Sequence, residues 1–198
     1  MNRTISTGLA ALFSFALVAC GGGEGGGETA ETQTVAETPA AEAAQGGELS
    51  MPGWMEVDHA ARTVSLRITA GETDLNNHWN FNGHANGDAT VVVPEGYEVT
   101  INFHNADPVN PHSLAVDART GDFPAMFDDA TPVFAGAETP GAASMTDATQ
   151  PEGDATITFT ADTAGEYSLV CWVPAHAATG MWIGFAVSGS GEAGVRTN

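Results

Sequence analysis

Lysine is missing from this chain of 198 residues, and arginine occurs only 5 times. Against these few basic residues stand 25 aspartates and glutamates, which give a formal net charge of −20 at pH 7. Nucleic-acid binding needs a basic surface that neutralises phosphates, so this composition excludes it. The same acidity keeps a protein soluble and attracts cationic partners in a salt-dependent way.

Cysteine is also scarce, because the chain contains only Cys20 and Cys171. Two cysteines in an exported chain could form one disulfide. Here, however, one belongs to the N-terminal leader and the other to a strand near the end of the chain. We therefore expect no disulfide between them and assign each thiol a separate role.

The N-terminus has the pattern of an export signal at residues 1–19. One positive charge at Arg3 precedes an apolar run over residues 9–18, which is too short to span a bilayer as a mature helix. The run ends in Leu17-Val-Ala-Cys20, which resembles the bacterial lipobox. The resemblance implies cleavage before Cys20 and lipidation of its thiol. We therefore expect an exported lipoprotein of the cell envelope, anchored to a membrane and facing the periplasm or the cell exterior.

Residues 20–49 consist mainly of Gly, Glu, Ala and Thr, with no apolar period. Such a composition cannot bury enough surface to fold, so it predicts a flexible linker. A Gly-rich coil of this length has an end-to-end distance of about 30 Å. The remaining residues, 50–198, are predicted to form a single folded domain.

Several short segments of this domain alternate apolar and polar residues, which is the period of half-buried strands. The apolar members of these segments are Val64, Leu66 and Ile68; Val99, Ile101 and Phe103; Ala155, Ile157 and Phe159; Tyr167, Leu169 and Cys171; and finally Ile183, Phe185 and Val187. With Gly and Pro turns between them, the segments predict an all-β sandwich or barrel. Residues 118–154 break the rhythm, and we expect them to pack over one side of the sandwich.

One loop concentrates metal-binding side chains. Cys171, His176 and Met181 lie within eleven residues, with four residues between each pair. A thiolate, an imidazole and a thioether are the soft and borderline ligands that copper selects, and a His₂Cys site with a weak axial Met is the blue-copper arrangement. Each residue alone would be ordinary core, but their joint spacing predicts a copper site that needs one more histidine.

Strand phase selects that histidine from the six in the chain. His112 is in phase with Leu114 and Val116, so it should point inward, and Pro111 before it stiffens the approach. His104 lies on the polar face of its strand and should point to solvent. The other three, in polar or turn-like surroundings, are expected at the surface: His59, His78 and His84.

The stretch from Trp79 to Ser188 resembles the cupredoxin family and, within it, the sulfocyanins. The resemblance rests on these motifs: Phe81-Asn-Gly83, Val93-Pro94, Phe103-His-Asn105, Pro111-His-Ser113, Gly165-Glu-Tyr167, Cys171-Trp-Val-Pro174, His176-Ala and Gly180-Met-Trp182. It implies a Greek-key β-sandwich that shuttles single electrons between redox partners such as a cytochrome or a terminal oxidase. It also implies one type 1 copper, with these ligands: His112, Cys171, His176 and Met181.

Two positions depart from the common family pattern. Ser113 follows the first ligand where many cupredoxins carry Asn, and is similar in this to the high-potential rusticyanins. Ala175 stands where a glycine is expected before the second histidine, which should stiffen the loop. Together with Pro111, Ser113 is expected to support the ligands without binding the metal.

We predict a monomeric electron carrier and not an enzyme, with an extracytoplasmic copper chaperone or copper store as the alternative. The methionines form no Met-rich copper motif, which argues against the alternative. A binuclear copper site needs two cysteines in one loop, and copper oxidases or nitrite reductases need further histidine pairs, so both are excluded. In a carrier of this kind His176 is the expected electron exit, with Ala177 and Ala178 in the docking surface.

Overall fold

The computed structural model describes residues 47–198. The predicted signal peptide, the lipidation site at Cys20 and nearly all of the predicted linker lie outside this range, so those assignments stay predictions. Among the described residues, no helix is long and apolar enough to cross a membrane.

Strands dominate the described part of the chain. The strands are β1 (Met55–Asp58), β2 (Thr63–Ala70), β3 (Ala89–Pro94), β4 (Tyr97–Asn105), β5 (Ala115–Asp117), β6 (Asp154–Ala161), β7 (Gly165–Val170), β8 (Trp182–Ser188) and β9 (Gly194–Thr197). Two short 3₁₀ turns, Leu75–His78 and Ala177–Thr179, complete the regular structure. The all-β prediction is confirmed.

The strands form two sheets, and the chain crosses between them several times. One sheet has the order β1-β2-β4-β6, and the other has the order β5-β7-β8-β3-β9. β2 runs parallel to β4, and β3 runs parallel to β8, while the other neighbours are antiparallel. A parallel pair cannot be joined by a tight hairpin, so the chain crosses to the other sheet between its members. This crossing produces the expected Greek-key sandwich.

The core lies between the sheets and follows the predicted alternation. On β4 the inward side chains Val99, Ile101 and Phe103 are buried, and Ile157 and Phe159 of β6 join them in one cluster. Burying each such side chain stabilises the fold by about 1.5–3 kcal/mol. The alternation therefore identifies the face of each strand that holds the sandwich together.

The C-terminal strand was not predicted, because we expected β8 to end the sheet. Instead β9 continues beyond it and pairs antiparallel with β3. β9 has the sequence Gly-Val-Arg-Thr, in which only Val195 reaches the core. A single apolar side chain is too weak a signal for a strand, and its partner β3 is remote in sequence.

Residues 118–154 cover one side of the sandwich, as expected. Phe134 enters the main core, while Phe123 and Phe127 form a second cluster with Trp172. The segment also pairs with the edge of β5, where Val116 and Ala137 share a backbone hydrogen bond of 2.9 Å. It thus closes a sheet edge that would otherwise be open and supports the chain next to His112.

Candidate metal centre

Backbone hydrogen bonds close the loop between β7 and β8. The N–H of Cys171 donates to the carbonyl of Met181 at 3.1 Å, and the N–H of Met181 donates to the carbonyl of His176 at 2.9 Å. Gly180 ends the 3₁₀ turn with φ 103°, and a Cβ there would lie 2.1 Å from Oδ1 of Asn86. A tight loop of this kind fixes all three ligand candidates relative to one another.

His112 reaches the same point from the segment just before β5, because the first residue of β5, Ala115, pairs with the last residue of β7, Val170. Its Nδ1 lies 3.1 Å from Nδ1 of His176 and 3.9 Å from Sγ of Cys171, and the Cys171 and His176 atoms are 3.5 Å apart. Bonds of about 2.0–2.3 Å, as zinc makes to the same donors, place trigonal donors about 3.5–3.8 Å apart. The three atoms therefore fit one shared metal ion to within a few tenths of an ångström.

Burial isolates this cluster from water. His112, Cys171 and Met181 are 0% exposed, and His176 is 2% exposed. Burial lowers the pKa of His176 to about 4, an effect to which nearby His112 adds and which Asp107 opposes. Burial also lowers the pKa of His112, although its hydrogen bond to the Asp107 carboxylate and the charge of that carboxylate oppose the shift. Both imidazoles are therefore neutral near pH 7 and hold a lone pair ready for a metal.

The second nitrogen of His112 is held by a buried carboxylate. Nε2 of His112 lies 2.9 Å from Oδ2 of Asp107, whose side chain is 1% exposed. Burial opposes ionisation of Asp107, but hydrogen bonds from the Asn110 and Val109 backbone and from His112 outweigh it and lower its pKa to about 2. The carboxylate therefore accepts a hydrogen bond from Nε2–H, which leaves the lone pair of Nδ1 free for the metal.

Asp107 was missed by the sequence reasoning. It lies five residues before His112, and the turn between them is closed by its own carboxylate, which accepts from the N–H groups of Val109 and Asn110 at 2.8 and 3.0 Å. The sequence signal was an Asp-Pro pair just ahead of a candidate ligand, a usual start for a turn. That signal marks a turn but does not indicate that the carboxylate faces inward.

Ser113 supports the sulfur of Cys171. Its backbone N–H donates to Sγ at 3.4 Å, and its Oγ lies 3.6 Å from the same sulfur. Because Oγ also accepts from the N–H of Trp172 at 2.9 Å, its own proton is free to point at the sulfur.

Burial raises the pKa of the Cys171 thiol to about 11, although the hydrogen bonds from Ser113 oppose the rise. The neighbouring Pro111 is buried.

Trp172 is anchored beside the loop by a second buried carboxylate. Its Nε1–H donates to Oδ2 of Asp117 at 3.0 Å, and Arg119 pairs with the same carboxylate at 3.0 Å. The ring is 1% exposed and packs against Phe127, with centroids 5.7 Å apart. This anchoring holds the residue that follows Cys171, so the sulfur cannot shift easily.

The expectation for the loop tip needs correction. His176 is buried under Trp79, whose indole stacks on the imidazole with ring centroids 4.1 Å apart and planes 20° apart. Ala177 is also buried, at 2% exposure, so it cannot be part of a docking surface. The exposed residues of the loop tip are Ala175, Ala178 and Thr179. The sequence shows small residues around His176, but it does not show that the distant Trp79 packs over the imidazole.

The backbone conformation at Ala175 is one that glycine adopts more easily than other residues. Its φ is 71°, in the left-handed region, and its N–H donates to the carbonyl of Ala125 at 2.7 Å. A non-glycine residue in that region costs about 1–2 kcal/mol. The bond to Ala125 ties residues 118–154 to the ligand loop and helps to offset that cost.

The remaining histidines lie outside the cluster. His59 contacts the hydroxyl of Tyr97, and His84 pairs with Asp88. His104 faces outward as expected and pairs with Asp154 at 2.9 Å. His78 is half-buried, with its Nδ1 buried and without a hydrogen-bond partner among the described residues, so it is less exposed than we predicted.

The sulfocyanin (SoxE) domain family matches residues 52–195, which is most of the chain. The chain belongs to the sulfocyanin family. A sulfocyanin from Sulfolobus acidocaldarius is 32% identical over 127 residues, which cover 61% of this chain and 61% of that protein. The match thus spans less than two thirds of the length of this relative.

Solved structures similar in fold to this sulfocyanin-family chain include two copper proteins. Auracyanin A, a "blue" copper protein from Chloroflexus aurantiacus, is 22% identical, covers 64% of this chain and 99% of its own, and has a TM-score of 0.44. Rusticyanin is 24% identical, covers 68% of this chain and 87% of its own, and has a TM-score of 0.46.

Sulfocyanins are blue copper proteins of the cupredoxin class, whose members carry electrons. The donor set of this chain suits that metal, because two imidazoles, one thiolate and one thioether are the type 1 copper ligands. The site therefore takes one copper ion. Three of the donors, on His112, Cys171 and His176, cluster in the structure, and the expected fourth ligand, Met181, is buried on the same loop.

Proposed function

We propose that this chain carries single electrons through one type 1 copper, exchanging them with redox proteins such as a cytochrome or a terminal oxidase. The observation that carries the proposal is burial. The three clustered donor groups are at most 2% exposed, so no substrate can reach a coordination position. A buried site with no open position suits electron transfer and does not suit substrate turnover.

Bound copper supplies a one-electron couple between Cu(I) and Cu(II). The protein residues keep the donors fixed while the charge of the site changes. The Asp107 carboxylate orients His112, and Ser113 orients the sulfur of Cys171. Trp79 and the ligand loop keep water away from His176. A site that does not need to rearrange loses little energy at each transfer, because the preorganised groups already suit both states.

The partner surface is inferred from charge. The formal net charge of −20 favours a cationic redox partner, and such association weakens as salt screens it. The acidic composition also favours a monomer, since like charges keep copies apart.

The location is proposed from the N-terminal sequence. The apolar run before Cys20 and the lipobox pattern support an exported lipoprotein that works outside the cytoplasm, at the outer face of a bacterial membrane. Incubating whole cells with a labelled lipid precursor tests this: the label should attach to the wild type but not to Cys20→Ala.

The experiment that tests the function separates electron transfer from metal transfer. The reduced, copper-loaded chain is mixed with a one-electron acceptor in one sample and with a Cu(I)-specific chelator in another. A carrier transfers its electron rapidly, turns blue and keeps its copper in the presence of the chelator. A chaperone or store gives its copper to the chelator and gains no blue colour. The second result would contradict the proposal.

A further inference from the structure

Trp79 forms the outer surface of the metal site. Its indole lies on the imidazole of His176, with centroids 4.1 Å apart and planes 20° apart. His176 is 2% exposed, whereas Trp79 is only half-buried. A partner that approaches this side of the site therefore touches the indole before it can reach the ligand.

We propose that the site exchanges electrons with its partners through Trp79, an inference that rests on the proposed function. The stacked rings give continuous contact from the His176 ligand to the surface, and tunnelling is efficient through such contacts. One electron passes from the reduced site to the oxidised partner, no bond forms or breaks, and no proton moves. The indole acts as a bridge and is itself neither oxidised nor reduced.

The backbone before Trp79 is built to hold this contact. Asn76, Asn77 and His78 all have left-handed conformations, with φ of 51°, 58° and 65°. Three such residues in a row are unfavourable, and strain of this kind persists only where the surrounding structure enforces it. The strained turn places the indole against the imidazole of His176.

Asn76 connects the turn to the ligand loop. Its side-chain amide donates to the carbonyl of Trp79 at 2.9 Å and to the carbonyl of Thr179 at 3.1 Å. One side chain thus ties the residue that covers His176 to the loop that carries His176. The two rings are held in register by a direct link and not by packing alone.

The indole nitrogen has no part in this arrangement. Nε1 of Trp79 is buried and has no hydrogen-bond partner among the described residues. A buried, unpaired N–H is unfavourable, so the position is occupied by tryptophan for its ring and not for its polar group. A phenyl ring should therefore replace the indole without loss of the stacking, and an aliphatic side chain should not.

The test compares Trp79→Phe and Trp79→Leu with Trp54→Leu. Trp54 is a matched control, because it is half-buried against the same core and lies outside the metal site. Each reduced, copper-loaded chain is oxidised by tris(phenanthroline)cobalt(III), which becomes cobalt(II), and rates are compared at equal driving force. Trp79→Leu should slow oxidation severalfold, while Trp79→Phe and Trp54→Leu stay near the wild-type rate. An equal or faster rate for Trp79→Leu would show that Trp79 is only a cover and overturn the proposal.

A second measurement uses the metal-free chain. The indole above His176 should shift the imidazole proton resonances upfield, and Trp79→Leu should abolish that shift. An unchanged spectrum would show that the rings do not stack in solution and would also overturn the proposal. If Trp79→Leu fails to fold or to bind copper, Trp79→Met fills the apolar space without a ring and gives the same comparison.

The two proposals can fail separately. A wild-type chain that binds copper without blue colour or one-electron cycling rejects the carrier function, and with it this route. A wild-type chain that cycles normally while Trp79→Leu keeps its rate rejects the Trp79 route alone.

Discussion

The buried carboxylate of Asp107 should lower the reduction potential of the copper site, so Asp107→Asn should raise it. The carboxylate is ionised, since its pKa is lowered to about 2 by hydrogen bonds that outweigh burial. It contacts Nε2 of the ligand His112 at 2.9 Å. A negative charge this close favours the more positive Cu(II) state. Asparagine keeps the shape of the side chain and an acceptor oxygen for Nε2–H but removes the charge.

The size of the effect follows from the separation. The carboxylate lies on the far side of the His112 ring, 2.9 Å from Nε2, so a metal bound at Nδ1 would be about 7 Å from it. At an effective dielectric constant of about 20, a unit charge at that distance would contribute about 2 kcal/mol, or roughly 100 mV. The same change weakens the turn. Four N–H groups donate to the two carboxylate oxygens of Asp107, and asparagine replaces one of those oxygens by an NH₂ group that cannot accept. Leaving a buried donor unpaired costs about 1–3 kcal/mol of stability.

The assay is a redox titration of each copper-loaded variant, followed by its visible absorption. Asp154→Asn is the matched control, because Asp154 makes the same kind of contact with His104, also at 2.9 Å, but its side chain is 79% exposed. Solvent screens that charge, so the control should leave the potential unchanged. An Asp107→Asn potential equal to or below that of the wild type would refute the reasoning, as would an equal rise in both variants.

Four further predictions follow from the same geometry. Loading Cu(II) near pH 7 should release about one proton per chain, measured by pH-stat. Burial raises the pKa of the Cys171 thiol to about 11, so the thiol is protonated before copper binds, whereas His176, with a pKa lowered to about 4, has no proton to release. Copper binding without proton release would contradict this. Without metal, the free energy of unfolding in urea should fall by up to about 3 kcal/mol between pH 6.5 and pH 4. His176 is protonated below about pH 6.5 in the unfolded chain but only below about pH 4 in the folded chain, so acid favours the unfolded state. The fall should be smaller in His176→Gln. Met181→Leu should keep the blue colour and raise the potential, since it removes the axial thioether; a lower potential would be inconsistent with that ligand role. Gly71→Ala should cost about 1–3 kcal/mol more than Gly191→Ala, because both have left-handed φ but only at Gly71 would a Cβ lie 2.9 Å from the backbone nitrogen of Asp107; equal denaturant midpoints would exclude the clash.

The fold and the copper assignment could be predicted because they depend on local patterns. Alternation on β4 identified the inward face of Val99, Ile101 and Phe103, and the same argument placed His112 inward. The spacing of the ligand loop is also a local property, because Cys171, His176 and Met181 lie within one short stretch of the sequence. A period of two residues reports the face of a strand without knowledge of its neighbours.

The surroundings of the ligands could not be predicted, because they depend on contacts between distant segments. Trp79 reaches His176 from 97 residues away, and no periodicity links the two. Asp107 is near His112 in sequence, but its inward direction depends on how its own turn folds. Ala177 looks like a surface residue by composition and is buried by the second cluster of residues 118–154. Tertiary packing decided each of these positions.

The most direct test of the account is a coulometric titration of the copper-loaded chain, with metal content and visible absorption followed together. We predict one copper per chain, an intense blue absorption in the oxidised form, and its full and reversible loss on addition of one electron per copper. Cys171→Ser should bind no copper that gives this colour. A colourless copper complex, a requirement for two electrons, or a blue colour that survives in Cys171→Ser would contradict the account.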